Sequence, residues 1–283
     1  MDYEREAHEE YQKAYSIAMR NQLKDRKQRV APYPPVLDAI LNERMISCRQ
    51  DLGVMEIPVN LIIGVSEQSD SLQMYTKDFL PLANPGSELA MQWRRAYQEL
   101  RSQHNSKEIR CLEYLGKFYV VDGLQDVSVA KYSGTFLIKS HVTRIMPVKT
   151  ESSTIDRYYD FLVQFDFTNL YQLQFTQPGY FEKLQTALDK EEVPEWSDSD
   201  RTKFLMHWPK FERAFQKSFD NCLNITSADA LVVLLEKYTF TQLIQLDSWV
   251  LARIFQASWK DLCQLSYANR AESDSEKGSL YTA

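Results

Sequence analysis

The chain has 283 residues, of which 44% are hydrophobic, 25% charged and 12% aromatic, enough to bury a core in one large or two modest domains. Lysine and arginine number 33 against 39 aspartate and glutamate, a formal charge of -6, which is the wrong sign for a generic polyanion binder. No apolar run has the length of a membrane span and the N-terminus MDYEREAHEEYQKAY is charged where a signal peptide is apolar, so the expectation is a soluble cytoplasmic protein.

Residues 2-29 carry Tyr11, Ala14, Tyr15, Ala18 and Met19 at helical spacing, which predicts an amphipathic helix. Pro32, Pro34 and Pro35 end it, because proline cannot continue a helix and restricts its predecessor. VLDAILNERM (36-45) then predicts a second short helix, and MEIPVNLIIG (55-64), β-branched and closed by Gly64, predicts the first strand. QSDSLQMYTKDFLPL reads as a loop with a short helix, its Phe79, Leu80 and Leu82 packing inward. Ser87 caps a helix through Leu89, Ala90, Trp93, Tyr97 and Leu100.

IRCLEYLGKFYVVDG supplies two strands around a turn at Leu115-Gly116-Lys117, VSVAKYSG a helix ending at Gly134, and FLIKSHVTRIMP a strand stopped by Pro147. KTESSTID (149-156) is polar and marks a boundary. Beyond it helical patterns dominate, at 157-167, 179-190, 198-221, 226-238 and 247-263, before a polar tail expected to be disordered. The predicted organisation is N-terminal helices at 1-50, an α/β domain at 51-148, an all-helical domain at 149-268 and a disordered tail at 269-283, an α+β chain.

Cys48, Cys111, Cys222 and Cys263, like His8, His104, His141 and His207, are scattered, so neither a zinc knuckle nor a disulfide framework is encoded locally, and no metal site is expected. His141 has no acid partner near it in sequence. Ser128 lacks the GxSxG surroundings of a nucleophile. Trp93 with Arg94 and Arg95 offers base stacking or a phosphate grip, but a helical Trp beside Leu89 and Tyr97 reads better as core, with the arginines on its wet flank. The stretch 158-181 holds Tyr158, Tyr159, Phe161, Phe165, Phe167, Tyr171, Phe175, Tyr180 and Phe181 without interleaved cations; it reads as core or as a protein-contact surface rather than a nucleic-acid platform. Trp196, Trp208, Trp249 and Trp259 reinforce that reading.

EIPVNLIIG, DFLPL and KFYVVDGLQDVSVAKYSG, taken together and in that order, resemble the ParB/sulfiredoxin-like superfamily over about residues 30-147, in particular a bacterial branch with a helical C-terminal extension, which GYFEKL and its flanks also resemble. The resemblance implies a ParB-like fold. The superfamily spans nucleotide-dependent DNA clamps, sulfinic-acid reductases, a free-serine kinase and proposed nucleases, so function transfers far less well. In that branch the turn usually reads Asp/Glu-Gly-Asn-His/Lys-Arg-Val-Ser-Val, and its backbone N–H groups and cations hold phosphate at a helix start. Here Asp122, Gly123, Val127, Ser128 and Val129 match, but Leu124, Gln125 and Asp126 replace the neutral and cationic positions.

The local charge has thus moved by about two to three units against phosphate, where one paired charge contributes about 1.5–3 kcal/mol. Losing two such contacts lowers affinity at least about a hundredfold. The reductase cysteine would fall at Leu124, which excludes that reaction. Two routes could rescue the site: Asp122 and Asp126, with or without Glu113, holding Mg²⁺ that bridges to phosphate, or Lys131, Lys139 or Arg144 swinging in. Asp126 is read as a helix cap rather than a ligand, and the three cations as solvated surface residues.

The leading expectation is a non-catalytic binding or regulatory protein, without a cofactor, that acts through protein partners or self-association of its aromatic helical half. The alternatives are a phosphotransferase or nuclease that uses nucleotide and Mg²⁺ through Asp122 and Asp126, and a DNA-binding regulator, which the acidic charge disfavours.

Overall fold

The computed structural model describes residues 3–102, 107–192, 195–219 and 222–280, with backbone alone for Asp70, Ser71 and residues 271–280; His104 lies outside the described residues. The chain divides into two compact units, Met1–Val148 and Lys149–Ala283.

The first unit begins with α1 (Tyr3–Gln28), which stops at Arg29 in a left-handed conformation (φ 56°) before the prolines. Residues 36–45 form two single 3₁₀ turns, Leu37–Ala39 and Glu43–Met45, instead of a second helix. Leu37 is fully buried there, and Asn42 takes the N–H of Arg44, which closes a tight turn in place of a longer spiral. β1 (Ile46–Pro58) starts nine residues earlier than its apolar run at 55 suggests. Its first half is exposed, so the hydrophobic pattern by which strands are read is missing from it. After a 3₁₀ turn at Val59–Leu61 comes β2 (Ile62–Val65), so the expected strand at 55–64 is two strands with a break.

A 3₁₀ turn, Asp70–Met74, leads to the DFLPL loop, pinned by fully buried Phe79 (φ 64°) and by Thr76, whose hydroxyl accepts from the Leu80 N–H at 3.1 Å. α2 (Glu88–Arg101) is capped by Ser87, which accepts from the Ala90 N–H. β3 (Ile109–Tyr114) and β4 (Lys117–Asp122) form a hairpin whose two turn residues, Leu115 and Gly116, both have positive φ, the twist such short hairpins favour. α3 (Leu124–Tyr132) and β5 (Leu137–Pro147) complete the unit.

The sheet runs β1-β5-β3-β4-β2. β5 lies antiparallel to β1 and parallel to β3, and β4 antiparallel to β3 and parallel to β2. α1 is built into this unit rather than standing apart: its buried Ala7, Tyr11 and Ala14 pack with Ala90, Trp93 and Val129, and the Tyr11 ring meets Trp93 edge-on at 5.3 Å. The Tyr132 hydroxyl donates to Glu10 and the Tyr97 hydroxyl to Glu6.

The second unit contains α-helices and no strand among the described residues: α4 (Ser153–Thr168), α5 (Tyr180–Ala187), α6 (Asp198–Phe219), α7 (Ser227–Leu235), α8 (Phe240–Gln245), α9 (Ser248–Ala257) and α10 (Trp259–Leu280). The pattern at 247–263 is therefore two helices, broken at Ser258. α10 continues to Leu280 through the polar run expected to be a disordered tail, whose last three residues lie outside the described ones. The aromatic rings mostly fill this unit's interior: Tyr158, Phe161, Phe165, Tyr171, Phe181, Trp196, Phe204 and Trp208 are all buried. Trp249 and Trp259 are exposed instead. No helix among the described residues is long and apolar enough to cross a membrane.

Candidate functional site: the β4–α3 turn

β4 delivers the turn at the C-terminal end of the strand, between β3 and β2. Gly123, the N-cap of α3, has φ 93°, and a Cβ built on it would lie 2.4 Å from Cγ2 of Ile109. Only glycine fits, for both the backbone conformation and the close approach. Asp122 accepts the Gly123 N–H on Oδ1 at 2.9 Å and faces Arg110, its partner across the hairpin, at 3.8 Å. Both side chains of that ion pair are more than half exposed, so it adds little stability.

Beyond the glycine, Leu124, Gln125 and Asp126 are each apolar or committed to the protein's own packing. Leu124 is half-buried. Gln125 donates from Nε2 to Oε1 of Gln92 on α2 at 2.9 Å. Burial raises the Asp126 carboxyl above its ordinary pKa, and Glu99 and Asp122 add to this, against Lys107 and its own N–H. The N-cap position belongs to Gly123, with no side-chain bond, but the Asp126 carboxyl takes its own N–H in the first turn, as expected of an acid at a helix start, and it lines a cavity of about 70 Å³ with Glu99, Lys107 and Val129. Ser128 is fully buried and accepts the indole N–H of Trp93 at 2.9 Å, so it is neither nucleophile nor ligand. Trp93 is itself fully buried, as core.

Glu113 does not join the other two acids at the turn. Glu113 pairs with Phe118 and Asp122 with Arg110 in the β3–β4 ladder, which separates the two carboxylates by about four residues of strand, roughly 13 Å. Glu113 is fully buried, accepting the Gly116 N–H at 2.7 Å and Arg144 Nε at 2.6 Å. Its role is to hold the hairpin turn. Among the described residues no group of three or more His, Cys, Asp and Glu is arranged to hold a metal ion.

The cation route changes as well. Arg144 is buried in the Glu113 pair, not solvated, because β5 and β3 run side by side in parallel register, Glu113 opposite Arg144. Lys131 is not a solvated surface residue either: its Nζ sits 5.1 Å from the Phe79 ring centre and burial lowers its pKa to about 8, against the pull of Asp78. Lys139 is exposed on β5 opposite exposed Glu56.

One pairing was not legible in the chain order. His141 Nε2 lies 2.8 Å from Asp51 Oδ1, an acid brought from ninety positions away by the β1–β5 ladder. The Gly53 N–H, with His141, holds the Asp51 carboxyl below its ordinary range. The neighbouring Ser140 hydroxyl donates to the His141 carbonyl at 3.2 Å, so Ser140 is not aligned as a nucleophile for the imidazole. Cys111 is buried, and burial pushes its thiol up to about 12, the opposite of a reactive thiolate. Arg94 donates to the Pro85 carbonyl at 3.0 Å and lies over Tyr11 at 6.0 Å, so it braces the α1–α2 contact.

Compared with family models, with curated proteins and with solved structures, the chain finds no match.

Proposed function

We propose that the chain is a non-catalytic binding or regulatory protein of ParB-like fold whose phosphate turn has become a structural joint. The observation that carries this is the commitment of the α3 start to α2: Gln125 to Gln92, Ser128 to Trp93, with the Asp126 carboxyl half-buried on the same helix. A phosphate at this helix start would meet a desolvated carboxyl and no cation on the turn itself.

Its contacts are made through the helical half, where α9 and α10 leave Trp249, Trp259 and Tyr267 exposed at 63%, 46% and 69%. Exposed aromatic rings are the residues that most often dominate protein interfaces. Sedimentation velocity over a range of concentrations tests this half of the proposal, with chemical cross-linking to find partners. Association with itself or a partner that weakens in the Trp249→Ala/Trp259→Ala variant is expected. Unchanged association in that variant would remove these rings as the contact surface.

A further inference from the structure

The helical unit contains a cavity of about 700 Å³, in the range of small-ligand sites, between α4, the segment 175–179 and α5. Its apolar wall is made by Phe167, Phe175 and Phe181; Phe167 stacks on Phe181 at 6.2 Å and 14°, and Phe175 meets Phe181 at 6.4 Å. Ring faces carry the negative side of the aromatic quadrupole and attract cations.

The polar groups of the wall differ in what they already hold. Gln185 accepts the Trp196 indole N–H on Oε1 at 3.0 Å, and Gln177 donates to Asn269 at 2.6 Å. Gln164 Oε1, by contrast, is buried with no hydrogen-bond partner. That oxygen has no accessible surface, so a molecule in the cavity does not reach it. The charges decide what the cavity accepts. Lys190 is held by Asp200 at 2.6 Å and Arg157 already has a partner, whereas the exposed carboxylates of Asp160 and Glu182 make no side-chain hydrogen bond or ion pair among the described residues.

We infer that this cavity binds a small organic cation, an arylalkyl amine or guanidine, whose apolar body lies on Phe167, Phe175 and Phe181 and whose charge faces Asp160 and Glu182. Every residue involved belongs to the Lys149–Ala283 unit, so the inference does not rest on the reading of the β4–α3 turn.

The test is calorimetric titration of the full chain with 2-phenylethylamine, its neutral isostere 2-phenylethanol and the anionic 3-phenylpropionate. The amine binds at least about tenfold more tightly than the alcohol, and the acid does not bind. The exposed double variant Asp160→Asn/Glu182→Gln keeps the fold and loses the preference for amine over alcohol. Equal binding of amine and alcohol, absence of saturable binding, or an unaltered preference in the double variant would each overturn the assignment.

Discussion

The indole N–H of Trp93 on α2 donates to the hydroxyl of Ser128 on α3 at 2.9 Å, and both side chains are fully buried. A serine in the first half of α3 is thus turned inward, where it satisfies the indole of a core tryptophan. Ser128→Ala leaves that N–H without a partner and is expected to cost about 1–3 kcal/mol. Denaturant unfolding measures it, and Trp93→Phe/Ser128→Ala should lose less than the two single changes summed.

Asp126 sharpens the point, because its raised pKa opposes the fold once it ionises. A carboxyl whose folded pKa lies above its unfolded value contributes stability below the unfolded pKa and loses it as pH rises through the folded one. Asp126→Asn should therefore melt at a higher temperature than the wild type at neutral pH, and the difference should close as the pH falls through the carboxylate range. Melting curves of both proteins across that range check it; a constant difference at all pH values would count against burial as the cause.

The Glu113–Arg144 pair makes a separate prediction. Arg144→Met leaves a buried carboxylate without its cation and should cost about 3–5 kcal/mol, whereas Glu113→Gln/Arg144→Met should recover at least about 1 kcal/mol of that. Gln keeps an acceptor for the Gly116 N–H, so the hairpin turn survives in the double variant. A double-mutant cycle by denaturant unfolding gives the coupling.

Lys131 predicts an alkaline effect of opposite sign to that of Asp126. Its folded pKa, lowered by burial to about 8, lies below the ordinary 10.5. Stability from this group is complete above the unfolded value and is lost as the pH falls through about 8. Lys131→Met should be more stable than the wild type at neutral pH by about 1–3 kcal/mol, after allowance for partial exposure, and the gap should narrow from about pH 8 upwards.

How much of this the chain order revealed depended on how far apart the partners are. Elements with a clear apolar period and a cap, such as the helix after Ser87 and the hairpin at Leu115-Gly116, are where the pattern places them. The first half of β1 escaped because it is exposed on its edge of the sheet and carries Cys48, Arg49, Gln50 and Asp51, with no alternation to read. At the turn, the Asp122-Gly123 bend and the lack of a cation at 124–126 were legible, since both are local. The bonds of Gln125 to Gln92 and Ser128 to Trp93 were not, because the two helices are joined only through β3 and β4. The same holds for Asp51 with His141 and Glu113 with Arg144, pairs created by strand register.

The most direct test of the central claim is the melting temperature of the full chain against a panel of nucleoside mono-, di- and triphosphates, with and without Mg²⁺. A structural joint at Asp122–Ser128 predicts no shift for any of them. A shift for one nucleotide, which at a hundred times its dissociation constant corresponds to about 2.7 kcal/mol, and which disappears in Asp122→Ala, would contradict the account and restore the turn as a working phosphate site.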